Sequence, residues 1–194
     1  MPNRTFKNQL IYEYKDSMKS IIATTRFNNK TWQENRDFLQ RAGETGLLPR
    51  KVQCLYPCSI PIGTTVPIFS KMFILEMNNE LNQIMGIGLI KHESPEYNKY
   101  QVYENTKYNE FSYKGGYRID REELTEEERG VLRELETLCF KGRRHQKRLQ
   151  GIKAFPYDIL YDYRAEKEVD LVVVVAEMFK SRFMVRPEPP PPSV

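Results

Sequence analysis

The chain has 194 residues, 40% of them hydrophobic and 29% charged, with a formal net charge of +4. That length and balance suffice for a packed core without covalent staples, and they exclude disorder through most of the chain. No run approaches the roughly 18 apolar residues of a membrane helix, "MPNRTFKNQL" lacks the apolar stretch of a signal peptide, and three cysteines leave one unpaired in any disulfide scheme. The expected setting is therefore a reducing one, cytoplasmic or nuclear, with no membrane partner.

In chain order, "KSIIATTRF" (19–27) reads as a strand entering a turn at Asn28–Asn29. "TWQENRDFLQRAG" follows as a helix over 31–42. A Thr31–Glu34 capping box predicts its start and Gly43 its end. Residues 44–68 carry prolines and glycines that permit short extended pieces but no helix. The clearest element is a hairpin, "KMFILEM" (71–77) and "QIMGIGLI" (83–90), joined by "NNELN". Both strands are apolar at consecutive positions, so both of their faces should be covered. Gly86 and Gly88 share one face of the second strand, which predicts a bend or something packed tightly on the backbone.

A tyrosine-rich stretch with two or three further strands spans 96–120. "LTEEERGVLRELETLCFKG" is a helix over 125–141, with a Thr125–Glu128 box and a stop at Gly142. The run "LVVVVA" favours a strand by propensity. Its long polar flanks and 3.6-residue period are read here as a helix over 166–181. Residues 1–185 form the expected globular unit, and "RPEPPPPSV" (186–194 in the expected boundary) an extended proline-rich tail. The expected fold class is α+β: a small, mostly antiparallel, barrel-like sheet with three flanking helices.

Charge is distributed unevenly. Residues 141–153 hold six Lys or Arg and no Asp or Glu, and subtracting six from +4 leaves −2 for everything else. A helix C-terminus favours two or three cations, not six. Lys141, Arg143, Arg144, His145, Lys147, Arg148 and Lys153 are the candidate nucleic-acid contacts, because clustered cations on a phosphate backbone gain from counterion release. The alternative is a clamp on acidic surfaces of neighbouring proteins. The tyrosines Tyr97, Tyr100, Tyr103, Tyr108, Tyr113 and Tyr117 alternate with lysines. They suit base stacking, although a strand tyrosine more often rests its ring on the core.

Chemistry beyond binding has little support. His92 and His145 sit in unrelated contexts, "GIG" is too short for a phosphate loop, and no nucleophile signature is present. No catalytic residue, cofactor or metal is expected. A Cys54, Cys58, Cys139 and His145 zinc set is the rival reading; Cys139 reads instead as part of a helix's apolar face. A hydrolase would need Glu76, Glu93, Glu104 and Asp120 to converge.

"IIATTRF…TW" leading into "FILEMNNELNQIMGIGLI" resembles the PUA-type barrels, within them the EVE and YTH-like branch. The resemblance implies a pocket that holds a base near Gly86–Ile87–Gly88, with Thr24, Thr25 and Trp32 at matching positions. Together with the tyrosine strands this gives the candidate pocket residues Thr25, Trp32, Gly86, Gly88, Tyr113 and Tyr117. "LEMNNELNQIMGIGLI", "YRIDREELTEEE" and "CFKGRRHQKRLQGI" are also similar to proteins of large double-stranded DNA viruses of eukaryotes. That similarity implies a host-cell factory or virion location. The expected function is non-enzymatic binding of nucleic acid, RNA or single-stranded DNA foremost. The alternative is a structural or assembly protein that binds other virion proteins.

Overall fold

The computed structural model describes residues 4–148 and 150–184; the proline-rich tail lies outside the described residues. The fold is mixed α+β, built on a five-stranded sheet and a separate three-stranded one. Helix α1 (Arg4–Ser17) leads into β1 (Ser20–Phe27) and α2 (Asn29–Glu44). After β2 (Cys54–Cys58) comes the expected hairpin, β3 (Lys71–Asn78) and β4 (Gln83–Lys91). Then follow β5 (Glu96–Tyr97), β6 (Phe111–Gly115) and β7 (Tyr117–Asp120). The chain ends with α3 (Glu126–Phe140), β8 (Lys153–Ala154), α4 (Tyr157–Lys167) and α5 (Leu171–Phe183).

The large sheet runs β7-β4-β3-β1-β8 and the small one β2-β6-β5. Only β1 and β3 pair in parallel, Ser20 opposite Lys71 through Phe27 opposite Asn78. The other ladders are antiparallel, so the expectation of a mostly antiparallel sheet holds. Two separate sheets form, and the described residues close no barrel.

Alternation sends β1 and β3 side chains to two cores. Ile22, Phe73, Leu75 and Met77 pack under Leu132 and Leu135 of α3, Leu160 of α4, and Val175 and Phe179 of α5, with Tyr14 of α1 joining them. Ile21, Ala23, Met72 and Ile74 face Leu55 and Tyr56 of the small sheet and Phe38 of α2. Both faces of the hairpin are covered, as its unbroken apolar text requires.

Local chemistry corrects three expectations. The helix cap after β1 sits three residues early: the Asn28 side chain accepts from Thr31 N–H at 2.7 Å, and Thr31 Oγ1 accepts from Asn28 N–H at 3.0 Å. Glu34 is free to accept from Glu104 N–H instead, and the helix runs through Gly43 until Gly46 takes the left-handed φ of +72°. The Thr125–Glu128 box forms as read, and Gly142 takes φ +75° beyond α3. The expected helix over 166–181 forms as α5 over Leu171–Phe183, and the residues before it make a separate helix, α4, that ends at Lys167. They are split at Glu168, which adopts φ +57°, and Asp170 caps the second by accepting from Val172 and Val173 N–H. Among the described residues there are five α-helices rather than three.

Candidate functional site

Gly86 and Gly88 are explained by what lies against them. A Cβ on Gly88 would sit 1.9 Å from the Tyr56 hydroxyl, and one on Gly86 2.5 Å from Arg118 Nη2. These groups belong to a buried ion-pair cluster. Glu76 is fully buried on β3. Arg118 of β7 grips both its oxygens, at 3.0 and 3.1 Å from Nε and 2.8 Å from Nη2. Tyr56 donates to Glu76 Oε1 at 2.7 Å, and Asp120 takes Arg118 Nη1 at 2.7 Å. The register opens for it: Leu75 pairs with Ile87 but Met77 with Ile84, so Met85 and Gly86 together oppose Glu76.

Burial opposes charge on Arg118, but Glu76 and Asp120 outweigh it and hold the guanidinium above its usual range. Burial, then the nearby Cys54 and Glu76, pushes the Tyr56 hydroxyl well up. Trp32 lies between two guanidiniums, with Arg36 5.0 Å and Arg118 5.5 Å from its ring. It meets Phe27 edge-on at 5.3 Å. Glu76 and Arg118 form a matched, buried ion pair, with Asp120 at its exposed edge.

The expected pocket residues therefore do not converge. Trp32, Gly86 and Gly88 belong to the buried cluster. Tyr113 is buried and its hydroxyl accepts from Ile62 N–H at 2.9 Å, while Tyr117 packs at a tilt against Phe183 of α5, ring centres 5.0 Å apart. Thr25 alone reaches a cleft.

That cleft, about 240 Å³, opens at the carboxyl ends of the parallel strands β1 and β3. Arg26 and Asn79 line it together with Tyr103, Tyr108 and Gln150. Arg26 Nη1 donates to the Lys147 carbonyl at 2.6 Å, and Asn79 Nδ2 to the same oxygen at 3.1 Å. Lys147 Nζ reaches back to Asn82 Oδ1 at 2.6 Å. The basic segment is thus buckled to the sheet at the rim of the cleft. Two buried polar atoms on that rim, the donor Arg26 Nε and the acceptor Asn79 Oδ1, have no hydrogen-bond partner. An orphan of this kind costs about 1–3 kcal/mol. Burial lowers the pKa of Arg26, and Tyr108 opposes that shift.

Of the six segment cations, Arg144 is the one that meets a carboxylate among the described residues, Asp158 at 2.5 Å. Lys141, Arg143 and Arg148 are exposed and Lys153 is half-buried in β8, none with a carboxylate partner among the described residues. The His145 ring accepts a long 3.4 Å bond from Lys147 N–H. Gln146 is buried, its N–H donating to the Cys139 carbonyl at 2.7 Å, so it anchors the segment.

Metal and nucleophile readings gain nothing. Cys54, Cys58 and Cys139 are free, buried thiols. Burial pushes Cys54 up to about 12 and Cys58 to about 11, so neither is an available thiolate. No group of three metal-ligating side chains occurs among the described residues. The four acids disperse: Glu76 and Asp120 hold Arg118, Glu93 pairs with Lys91 and Glu104 with Lys30. Among the described residues no helix is long and apolar enough to cross a membrane.

Sequence reasoning missed Arg26 and Asn79, whose roles depend on a cleft made by residues far apart in the chain. It passed over a stronger signal, the single glutamate inside "KMFILEM", because a charge in an unbroken apolar strand demands a buried partner. The chain matches no family model, no curated protein and no solved structure.

Proposed function

We propose that this chain is a non-enzymatic nucleic-acid-binding protein in which residues 141–153 hold the phosphate backbone. The cleft beside them receives one unpaired base. The carrying observation is that, among the described residues, five of the six cations meet no carboxylate, on a segment whose Lys147 carbonyl is bonded to the cleft residues Arg26 and Asn79. Tyr108 supplies an exposed aromatic face for stacking. The orphan Arg26 Nε–H and Asn79 Oδ1 suit a base edge, which carries an acceptor beside a donor. A base that reaches the cleft has left its stack, which favours RNA or single-stranded DNA over duplex.

The two sheets are read as an opened PUA-type barrel, a view supported by the close approach of β6 to β4: a Cβ on Gly115 would sit 2.0 Å from the Leu89 carbonyl oxygen. A host-cell or virion location remains part of the same proposal.

Binding of a labelled single-stranded oligonucleotide across a salt series tests the reading. Five phosphate contacts at about 0.7 each give a slope of log K on log salt near −3.5. Binding without salt dependence, or none at about 50 mM salt, overturns it in favour of an assembly role.

A further inference from the structure

The far end of β1 carries a second surface. Phe69 adopts φ +71°, a left-handed conformation rare for a bulky residue. The conformation is held from both sides: Phe69 N–H donates to the His92 carbonyl at 2.6 Å, and His92 N–H donates to the Ser70 carbonyl at 2.8 Å. The buried His92 ring also faces the Pro67 carbonyl, with Nδ1 3.1 Å away. The outcome of this strain is display. Ile68 is 55% and Phe69 64% exposed, with Lys91 Nζ 4.5 Å from the Phe69 ring centre. Strain that leaves two adjacent apolar side chains in solvent is a recurring mark of a binding surface.

Pro67 and Ser70, which bracket the exposed pair, also line a groove of about 300 Å³. Its other walls come from the end of α1, the start of β1 and the first residue of α4, with Tyr12, Met18 and Tyr157 giving apolar patches in a mixed lining. Lys15 and Lys19 stand on its rim, and Lys71 lies opposite Ser20 in the ladder. None of the three has a carboxylate partner among the described residues; Asp16 is the one acid in the lining, and Lys91 is occupied by Glu93.

We infer that this groove and the Ile68–Phe69 pair dock a segment of another protein in which large apolar side chains alternate with carboxylates. The unmatched lysines select an acidic partner by charge complementarity. The recess takes a side chain, which a flat lipid face does not offer, and exposed Ile68 has no counterpart on a nucleic acid. The surface is independent of the cleft, since seven residue steps of β1 at about 3.3 Å separate the two ends by about 23 Å. One molecule can then hold a polynucleotide and a protein together.

The experiment uses the full chain and fluorescein-labelled twelve-residue peptides that place Leu and Phe among Asp and Glu in different orders. Controls are the same peptides with Lys replacing the acids, phosphatidylserine vesicles and a single-stranded oligonucleotide. At least one acidic peptide should saturate with a Kd of about 10–100 μM, and the Lys versions should not bind. Phe69→Gly, which relieves the strained backbone, should weaken that binding about tenfold or more without lowering Tm. Lys15→Glu with Lys19→Glu and Lys71→Glu should abolish peptide binding and leave oligonucleotide affinity within about twofold. The inference is overturned if no acidic peptide binds, if Phe69→Gly binds as well as the parent, or if the surface proves to serve vesicles or self-association. The last two would appear as vesicle co-sedimentation or a dimer that Phe69→Gly abolishes.

Discussion

The single cation of β7 and those of residues 141–153 obey opposite rules. Arg118 is sealed between two strands and two carboxylates, with a tyrosine hydroxyl completing the set. The segment behind α3 is fastened to the sheet through its backbone and, among the described residues, leaves five of six charged heads without an acid. In the first case the fold uses the charge; in the second it only positions it. The difference separates architecture from function better than charge density alone.

Breaking the first region should cost stability and leave binding intact. Arg118→Met strands the buried Glu76 carboxylate and should destabilise the chain by about 3–5 kcal/mol, read from urea denaturation, with the salt slope of oligonucleotide binding unchanged. Gly88→Ala forces a methyl into the Tyr56 hydroxyl and should cost about 1–3 kcal/mol, seen as a lower midpoint at constant m-value.

Changes in the second region should do the reverse. Tyr108→Ala should weaken single-strand binding by about 1–3 kcal/mol in an equilibrium titration, with Tm little altered. Replacing Lys141, Arg143 and Arg148 with Gln should remove about 2 units of salt slope, three contacts at about 0.7 each, while stability stays within about ±0.5 kcal/mol per site.

Acid sharpens the contrast by a smaller amount. Burial works against charge on Asp120, but the Arg118 bond prevails and holds its carboxyl below the ordinary range. Its contribution is complete above the unfolded value and is lost as pH falls through the folded one. Urea midpoints should therefore fall on acidification toward pH 3, less steeply in Asp120→Asn.

What the sequence made legible was local. The hairpin, both of its covered faces, the Thr125 cap and the crowding over Gly86 and Gly88 follow from periods and residue types within a dozen positions. Helix α1 went unread because its apolar positions, Leu10 and Tyr14 one turn apart among them, are scattered among many polar residues. The α4–α5 break depends on Glu168 entering a left-handed conformation, which glutamate does not announce. The candidate site was half visible. The cations stood out as a run, but Arg26 and Asn79 meet Lys147 across 121 and 68 residues, and only the parallel pairing of β1 with β3 puts the two strand ends together.

Lysine acylation footprinting of the full chain, with and without a single-stranded oligonucleotide at low salt, locates the contact most directly. Protection should fall on Lys141, Lys147 and Lys153 and spare Lys15, Lys19 and Lys71 at the other end of β1. Equal labelling of the three segment lysines in the bound and free protein, or protection confined to the far end, would contradict the assignment.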